Sequence, residues 1–178
     1  MNEIDTAPGA RLWTPEGFRE DEWSHSESAG ALAGNHRVIL PLQAFLALDP
    51  EQRDALAGRI GVHILPGENI EAIVPHLHAL PLISLGFPAF SDGRSYSKAE
   101  LLRTRHGYTG IVRASGDVLI DQIPLMIRTG FNEFEVKNPT ALKRLEEGRV
   151  GGIPFYYQPT AKAEDEGARY AWRRIPAA

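Results

Sequence analysis

The sequence contains no cysteine. This absence excludes disulfide bonds, thiolate nucleophiles, iron–sulfur clusters held by cysteine and zinc sites of the cysteine type. Any redox role would therefore need a bound cofactor or a partner protein, and the sequence does not identify a cofactor.

The chain also lacks an excess of basic residues, because 23 Asp and Glu outnumber 19 Lys and Arg and give a net charge of -4. Proteins that bind nucleic acid neutralise its phosphates with Lys and Arg, so we expect no nucleic-acid partner. No apolar run approaches the roughly 20 residues that span a bilayer. The first five residues lack the basic start and apolar core of a signal peptide. We therefore expect a cytoplasmic protein that does not associate with a membrane.

From Arg37 onward, short apolar runs alternate with helical patterns at the spacing that βα units require. Five runs are predicted as strands: residues 38–40, 61–65, 82–86, 110–112 and 134–136. The pattern predicts an α/β fold of about five βα units with a mostly parallel sheet. An open three-layer sheet and a half-barrel of the TIM type both fit, because right-handed crossovers of this size build either one.

The chain divides into three predicted parts. Residues 1–36 are predicted to hold a short β-hairpin, with strands at residues 11–14 and 19–23, and then a connector over residues 24–35. Residues 37–160 form the single α/β domain, with a candidate edge strand at residues 155–158. Residues 161–178 form a C-terminal tail.

Helix-start signals recur between the predicted strands. The predicted N-terminal residues of helices are Asp49, Asn69, Ser97, Asp117 and Asn138. Pro124 lies inside the helix predicted after Asp117, where a proline costs about 3 kcal/mol. We therefore expect that helix to bend near Ile120.

Polar residues follow the third and fourth predicted strands, at residues 87–97 and 112–118. The carboxyl ends of neighbouring parallel strands share one edge of a sheet, which is where α/β folds place their sites. Arg94 and Arg113 beside a helix start predict an anion cradle, because a guanidinium matches an oxyanion and a first helical turn offers free N–H groups. The expected ligands are small sulfur or phosphorus oxyanions or the phosphates of a cofactor. The candidate binding residues are Gly93, Arg94, Arg113, Ser115, Gly116 and Gln122.

Three carboxylates at the same edge are candidates for proton transfer: Asp92, Asp117 and Asp121. The last two lie four residues apart, on one face of the predicted helix. Turn formation, helix capping and ion pairs with the two arginines explain the same residues without any chemistry. No metal site is expected, because the six histidines follow no ligand spacing. Nucleotide-binding and serine-hydrolase motifs are also absent.

These stretches resemble a bacterial family, the domain-of-unknown-function family 934, whose members are described as oxidoreductases involved in sulfite reduction. The resemblance is densest at residues 87–97, 101–103, 110–118, 121–122 and 130–131. It implies an accessory or partner protein of assimilatory sulfite reduction, whose Arg, Asp and Gly residues at the sheet edge bind a small oxyanion or the reductase. Another sulfate-assimilation protein is the other partner that it implies. The alternative is a stand-alone acid/base enzyme that acts on a small anionic substrate on the βα scaffold.

Overall fold

The computed structural model describes residues 9–30 and 37–152, which form a mixed α/β fold around one eight-stranded sheet. The strands are β1 (Arg11–Thr14), β2 (Gly17–Arg19), β3 (Trp23–His25), β4 (Arg37–Pro41), β5 (Ile60–Ile64), β6 (Leu82–Phe87), β7 (Ile111–Gly116) and β8 (Glu133–Val136). The helices are α1 (Leu42–Leu46), α2 (Pro50–Ala55), α3 (Arg94–Thr104), α4 (Ile123–Thr129) and α5 (Pro139–Glu146), with a 3₁₀ helix at Ile70–His76. The candidate edge strand at residues 155–158 and the predicted tail lie outside the described residues.

The five predicted strands correspond to β4 through β8, which lie side by side in chain order and run parallel. An open doubly wound sheet reverses its strand order at a switch point, whereas a TIM-type barrel adds each strand beside the one before it. The observed order has no reversal within these five strands. The sheet therefore forms a half-barrel, one of the two architectures that the sequence predicts.

Short strands extend both edges of the half-barrel. The predicted hairpin is confirmed: β1 pairs antiparallel with β2 and with β8, although β2 begins at Gly17 rather than at Arg19. At the opposite edge, β3 pairs parallel with β4. The prediction that Ser24 and His25 belong to a connector is wrong. Trp23 anchors these residues in the sheet, because its side chain is buried in a small cluster with Ile39 and Leu82.

A hydrogen bond between two strands that are far apart in the sheet order shows how strongly the sheet curls. His25 Nε2 on β3 lies 2.8 Å from Glu135 Oε1 on β8. In the sheet order, β8 and β3 are separated by the four strands β7, β6, β5 and β4. Five steps of about 4.8 Å would place them roughly 24 Å apart in a flat sheet. The contact therefore requires the sheet to curl until β3 faces β8 across a concave side.

The two faces of the curled sheet differ in chemistry. Strand residues alternate between faces, and one set, which includes Leu85 and Val112, packs with buried helix residues such as Leu102 and Met126 in the main core. The other set points to the concave face. It includes Ser84, Arg113 and Ser115, which are all buried polar residues. The helices therefore cover the apolar outside of the half-barrel, and its inside is partly polar.

Strand β7 is longer than predicted. The sequence predicts this strand at residues 110–112, whereas β7 runs over Ile111–Gly116. Arg113 and Ser115 are therefore strand residues with side chains on the concave face, and not residues of a loop at the sheet edge.

Some of the predicted helix starts are confirmed and others are wrong. Gln52 Oε1 accepts a hydrogen bond from the N–H of Asp49 before α2, and the Asn138 side chain caps α5, as predicted. Asn69 caps a 3₁₀ helix. The prediction of Ser97 as a helix start is wrong, because α3 already begins at Arg94.

The helix after β7 also differs from its prediction. It begins at Ile123, so Asp117 is not its N-cap and Pro124 lies in its first turn. A proline there removes an N–H that has no partner within the helix in any case. The predicted bend near Ile120 is therefore wrong.

No helix within residues 9–30 and 37–152 is long and apolar enough to cross a membrane.

Candidate functional site

Most of the predicted site residues lie at the carboxyl ends of β6 and β7. These strands are neighbours, paired from Leu82 with Ile111 to Phe87 with Gly116, as the prediction required. We use the name rim for the three loops that follow β5, β6 and β7, which are residues 65–69, 88–93 and 117–122. Hydrogen bonds join the second and third loops to each other, and the first and second loops to α3.

Arg94 and Asp92 form an ion pair at the rim. Arg94 Nη2 lies 2.7 Å from Asp92 Oδ2, and its Nε lies 3.0 Å from Asp92 Oδ1. The hydrogen bond from the guanidinium is the main reason that the pKa of Asp92 falls to about 2. Asp92 is therefore ionised at neutral pH and is a poor proton donor there. The same geometry means that an external anion would compete with Asp92 for Arg94.

Asp117 and Gln122 hold the tip of the middle loop. The N–H of Phe90 donates to Asp117 Oδ2 at 3.2 Å, and Gln122 Nε2 donates to the carbonyl of Phe90 at 2.7 Å. Gln122 Oε1 is buried and has no hydrogen-bond partner among residues 9–30 and 37–152. The prediction of Asp117 and Asp121 as a carboxylate pair on one helix face is wrong, because both precede α4.

The two predicted glycines have different roles. Gly116 has a φ of +95°, and a Cβ there would lie 2.4 Å from the carbonyl oxygen of Phe87. Its position therefore requires glycine. Gly93 precedes α3 with a φ of -82°, which any residue can adopt. Gly93 is therefore not required by the backbone conformation.

Lys98 ties the first loop of the rim to α3. Its ammonium donates to the carbonyl oxygens of Leu65 and Pro66, both at 2.7 Å. Burial is the main cause of a lowered pKa at Lys98, and the charge of Arg94 adds to it. The three loops are therefore fastened through named contacts into one continuous surface.

Arg113 is placed differently from Arg94. Its side chain is fully buried and contacts three carboxylates: Asp21 at 2.8 Å, Glu133 at 2.7 Å and Glu135 at 3.1 Å. Burial opposes its charge, but the hydrogen bond and the charge of Asp21, with the two glutamates, raise the pKa of Arg113 overall. The two arginines of the predicted cradle therefore bind separate carboxylates.

Arg113 belongs to a polar cluster on the concave face, which we call the polar centre. Its members are Asp21, His25, His63, Ser84, Arg113, Ser115, Glu133 and Glu135. His63 Nδ1 lies 3.1 Å from Ser84 Oγ, which lies 3.0 Å from Ser115 Oγ. The ring centroids of His25 and His63 are 5.5 Å apart. The polar centre thus links β3, β5, β6, β7 and β8.

Burial and charge set the protonation states in the polar centre. Burial lowers the pKa of His63 to about 4, and the neighbouring His25 adds to the effect. Burial also disfavours the charged form of Glu135, but the hydrogen bond from His25 and the charges of His25 and Arg113 outweigh it and lower the pKa of Glu135. His25 Nδ1 is buried without a hydrogen-bond partner in the described part of the chain. His63 is therefore neutral at pH 7, in contact with a buried hydroxyl.

The charge of the polar centre argues against anion binding there. Its three carboxylates stand against one guanidinium, and His63 is neutral at pH 7. In the described residues, no group of three or more His, Asp and Glu side chains is arranged to hold a metal ion. The contact that could serve acid/base chemistry in the polar centre is the hydrogen bond between the neutral imidazole of His63 and the hydroxyl of Ser84, although the lowered pKa of His63 makes it a weak base at pH 7.

Sequence reasoning missed most of the polar centre. His25 lay in the predicted connector, and Glu133 and Glu135 received no role. A signal was present, because polar residues alternate with apolar ones at Arg113 and Ser115 and again at Glu133 and Glu135. A period of two in neighbouring strands indicates one shared face.

Comparison with known proteins adds a family but no described function. Residues 61–166 match the family model named "Bacterial protein of unknown function (DUF934)". The searches of curated proteins and of solved structures return no match. The matched segment is more than half of the 178-residue chain and includes β6, β7 and the rim. The chain belongs to the DUF934 family of bacterial proteins.

Proposed function

We propose that this chain is an accessory protein of assimilatory sulfite reduction, and that it acts by docking through its rim on sulfite reductase or on another sulfate-assimilation protein. The pathway rests on the family resemblance described above. The manner of action rests on the contacts of the rim.

The observation that carries the docking role is that both arginines already hold carboxylates. Arg94 is paired with Asp92, and the fully buried Arg113 is paired with three acidic residues. Arg94 is exposed, but its charge is already balanced by Asp92 at 2.7 Å, which weakens its attraction for a small oxyanion. The most exposed of the large apolar side chains in the described residues is the ring of Phe90 in the rim, which is 58% exposed. These contacts favour a protein partner over a small oxyanion.

The absence of cysteine agrees with an accessory role. A protein that assists sulfite reduction without thiols leaves the electron transfer to its partner or to a bound cofactor. A purified protein without visible absorbance would hold no flavin or haem. Visible absorbance from a bound flavin or haem would instead indicate that the chain carries out redox chemistry itself.

The pathway is tested by growth of a strain that lacks the gene, on four sulfur sources. We expect poor growth on sulfate and on sulfite, and normal growth on sulfide and on cysteine, because only the last two bypass sulfite reduction. Growth on sulfite but not on sulfate would place the protein at an earlier step. Equal growth on all four sources would refute a role in the pathway.

The second candidate function is the stand-alone acid/base enzyme expected from the sequence for a small anionic substrate. The polar centre supports the proton transfer, whereas its excess of carboxylates argues against an anionic substrate. His63 is neutral at pH 7 and contacts Ser84 Oγ, as a general base would contact a hydroxyl. The test is a His63→Gln variant with an unchanged circular dichroism spectrum. Failure of this variant to restore growth on sulfite would support catalysis, and full restoration would exclude proton transfer by His63.

A further inference from the structure

Most of the large exposed apolar side chains among the described residues lie in the rim or directly beside it. Within the described residues there are four such side chains: Leu65, Phe90, Leu101 and Leu125. Leu65 and Phe90 lie in the first and second loops of the rim, and Leu125 lies in the first turn of α4, directly after the third loop. Of these four described side chains, Leu101 is the one that lies away from the rim and its flanking turn, on α3. Apolar groups gathered on one exposed edge indicate a contact surface.

The backbone beneath these side chains is held in place. Both backbone polar groups of Phe90 are bonded, its N–H to Asp117 and its carbonyl to Gln122. The N–H of Leu65 donates to Glu68 Oε2 at 2.7 Å, and its carbonyl accepts from Lys98. A backbone that is already held by hydrogen bonds loses little further conformational entropy when a partner binds. The rim is therefore preorganised for contact.

The rim and the start of α3 carry an acidic balance. Four carboxylates, those of Glu68, Asp92, Asp117 and Asp121, stand against two cations, those of Arg94 and Lys98, which gives a net charge of -2. The cations are also occupied, since Arg94 binds Asp92 and Lys98 binds two carbonyl groups. Asp121 is exposed. Electrostatic complementarity therefore calls for a basic partner surface.

We propose that the rim docks against a basic surface of its partner protein, with the ring of Phe90 inserted as the anchor in an apolar pocket. This proposal rests on the proposed function, since it takes the partner to be sulfite reductase. It adds two specific points. The first is that Phe90 supplies much of the affinity, and the second is that the opposing surface is basic. Aromatic anchors at the centre of an interface carry a large share of binding energy.

The anchor is tested by measuring the affinity of the purified chain for purified sulfite reductase holoenzyme by surface plasmon resonance. Phe90→Ala should weaken binding roughly 30-fold, the loss typical of an interface hot spot. Leu101→Ala removes an exposed apolar side chain outside the rim and should change the affinity by less than about twofold. Equal affinities for Phe90→Ala and the unaltered chain would overturn the anchor. Unchanged circular dichroism spectra would show that both variants fold.

The charge of the partner surface is tested with Asp121→Lys and with the same charge change at Glu147, which lies at the C-terminal end of α5. Asp121→Lys should slow association and weaken binding several-fold, and added salt should weaken binding of the unaltered chain. Glu147→Lys should bind as the unaltered chain does. Binding that is indifferent to salt and to Asp121→Lys would overturn the basic surface.

The outcomes separate this proposal from the pathway role. No binding to the reductase, together with the expected growth defect of the deletion strain, would overturn docking on the reductase and leave the pathway role in place. Binding of the purified chain that depends on Phe90, together with normal growth of the deletion strain, would support the docking surface and remove the pathway role.

Discussion

Replacement of Arg113 by methionine should destabilise the fold by about 3–5 kcal/mol at neutral pH, the cost typical of breaking a buried ion pair. The guanidinium donates five hydrogen bonds, two to Asp21, two to Glu133 and one to Glu135. Methionine fills similar space but carries neither charge nor donor. The variant therefore leaves three carboxylates facing one another with no cation among them.

The size of the loss follows from how little water can reach these carboxylates. The side chains of Glu133 and Glu135 are each only 16% exposed, so they cannot recover full hydration once Arg113 is removed. The loss would be a large part of the 5–15 kcal/mol by which domains are usually stable. With a urea dependence of about 2 kcal/mol per molar, the unfolding midpoint should fall by roughly 2 M. Unfolding can be followed by fluorescence, since Trp13 and Trp23 are buried.

The loss should depend on pH with a defined sign. In the unaltered protein the pKa of Glu135 is lowered, so this group stabilises the fold at neutral pH and loses that effect as the pH falls through the lowered value. Without Arg113 the clustered carboxylates take up protons more readily, which relieves their repulsion. The difference in free energy of unfolding between the two proteins should therefore shrink between about pH 7 and pH 4.

Arg94→Met is the matched control. It removes the other arginine of the predicted cradle, whose side chain is 65% exposed and bonded to a single aspartate. The urea midpoint should stay close to that of the unaltered protein. The reasoning would be refuted if Arg113→Met cost less than about 1 kcal/mol at pH 7, or if its cost were the same at both pH values.

Signals local in the sequence predicted the elements of the fold. The apolar runs of β4 to β8, the glutamine that caps α2 and the asparagine that caps α5 each depend on residues a few positions apart. The sequence also predicted that the loops after β6 and β7 lie side by side, because consecutive parallel strands are usually neighbours. The choice between an open sheet and a half-barrel depends on contacts such as that between His25 and Glu135, which are 110 residues apart.

The site was harder to predict because one strand ended later than its apolar run. Arg113 breaks the run Ile111–Val112, and its charge favoured a loop. In the structure β7 continues through Arg113, because the charge is neutralised by acidic residues from β8 and from the segment before β3. A buried charge is compatible with a strand only when such partners exist, and they come from distant parts of the sequence.

Three further substitutions test other features by urea unfolding. The pKa of His63 is lowered to about 4, so as the pH falls the unfolded chain takes up a proton at His63 before the folded chain does. The free energy of unfolding should therefore drop by about 3 kcal/mol between pH 6.5 and pH 4. The His63→Gln variant should show a flatter dependence on pH. Gly116→Ala should cost at least 1 kcal/mol, since its Cβ would meet the Phe87 carbonyl at a positive φ. Pro124→Ala should change stability by less than about 1 kcal/mol, because the proline lies in the first turn of α4 and interrupts no helical hydrogen bond. A proline inside a longer helix would instead give a gain of about 3 kcal/mol on replacement, and such a gain would contradict a helix that begins at Ile123.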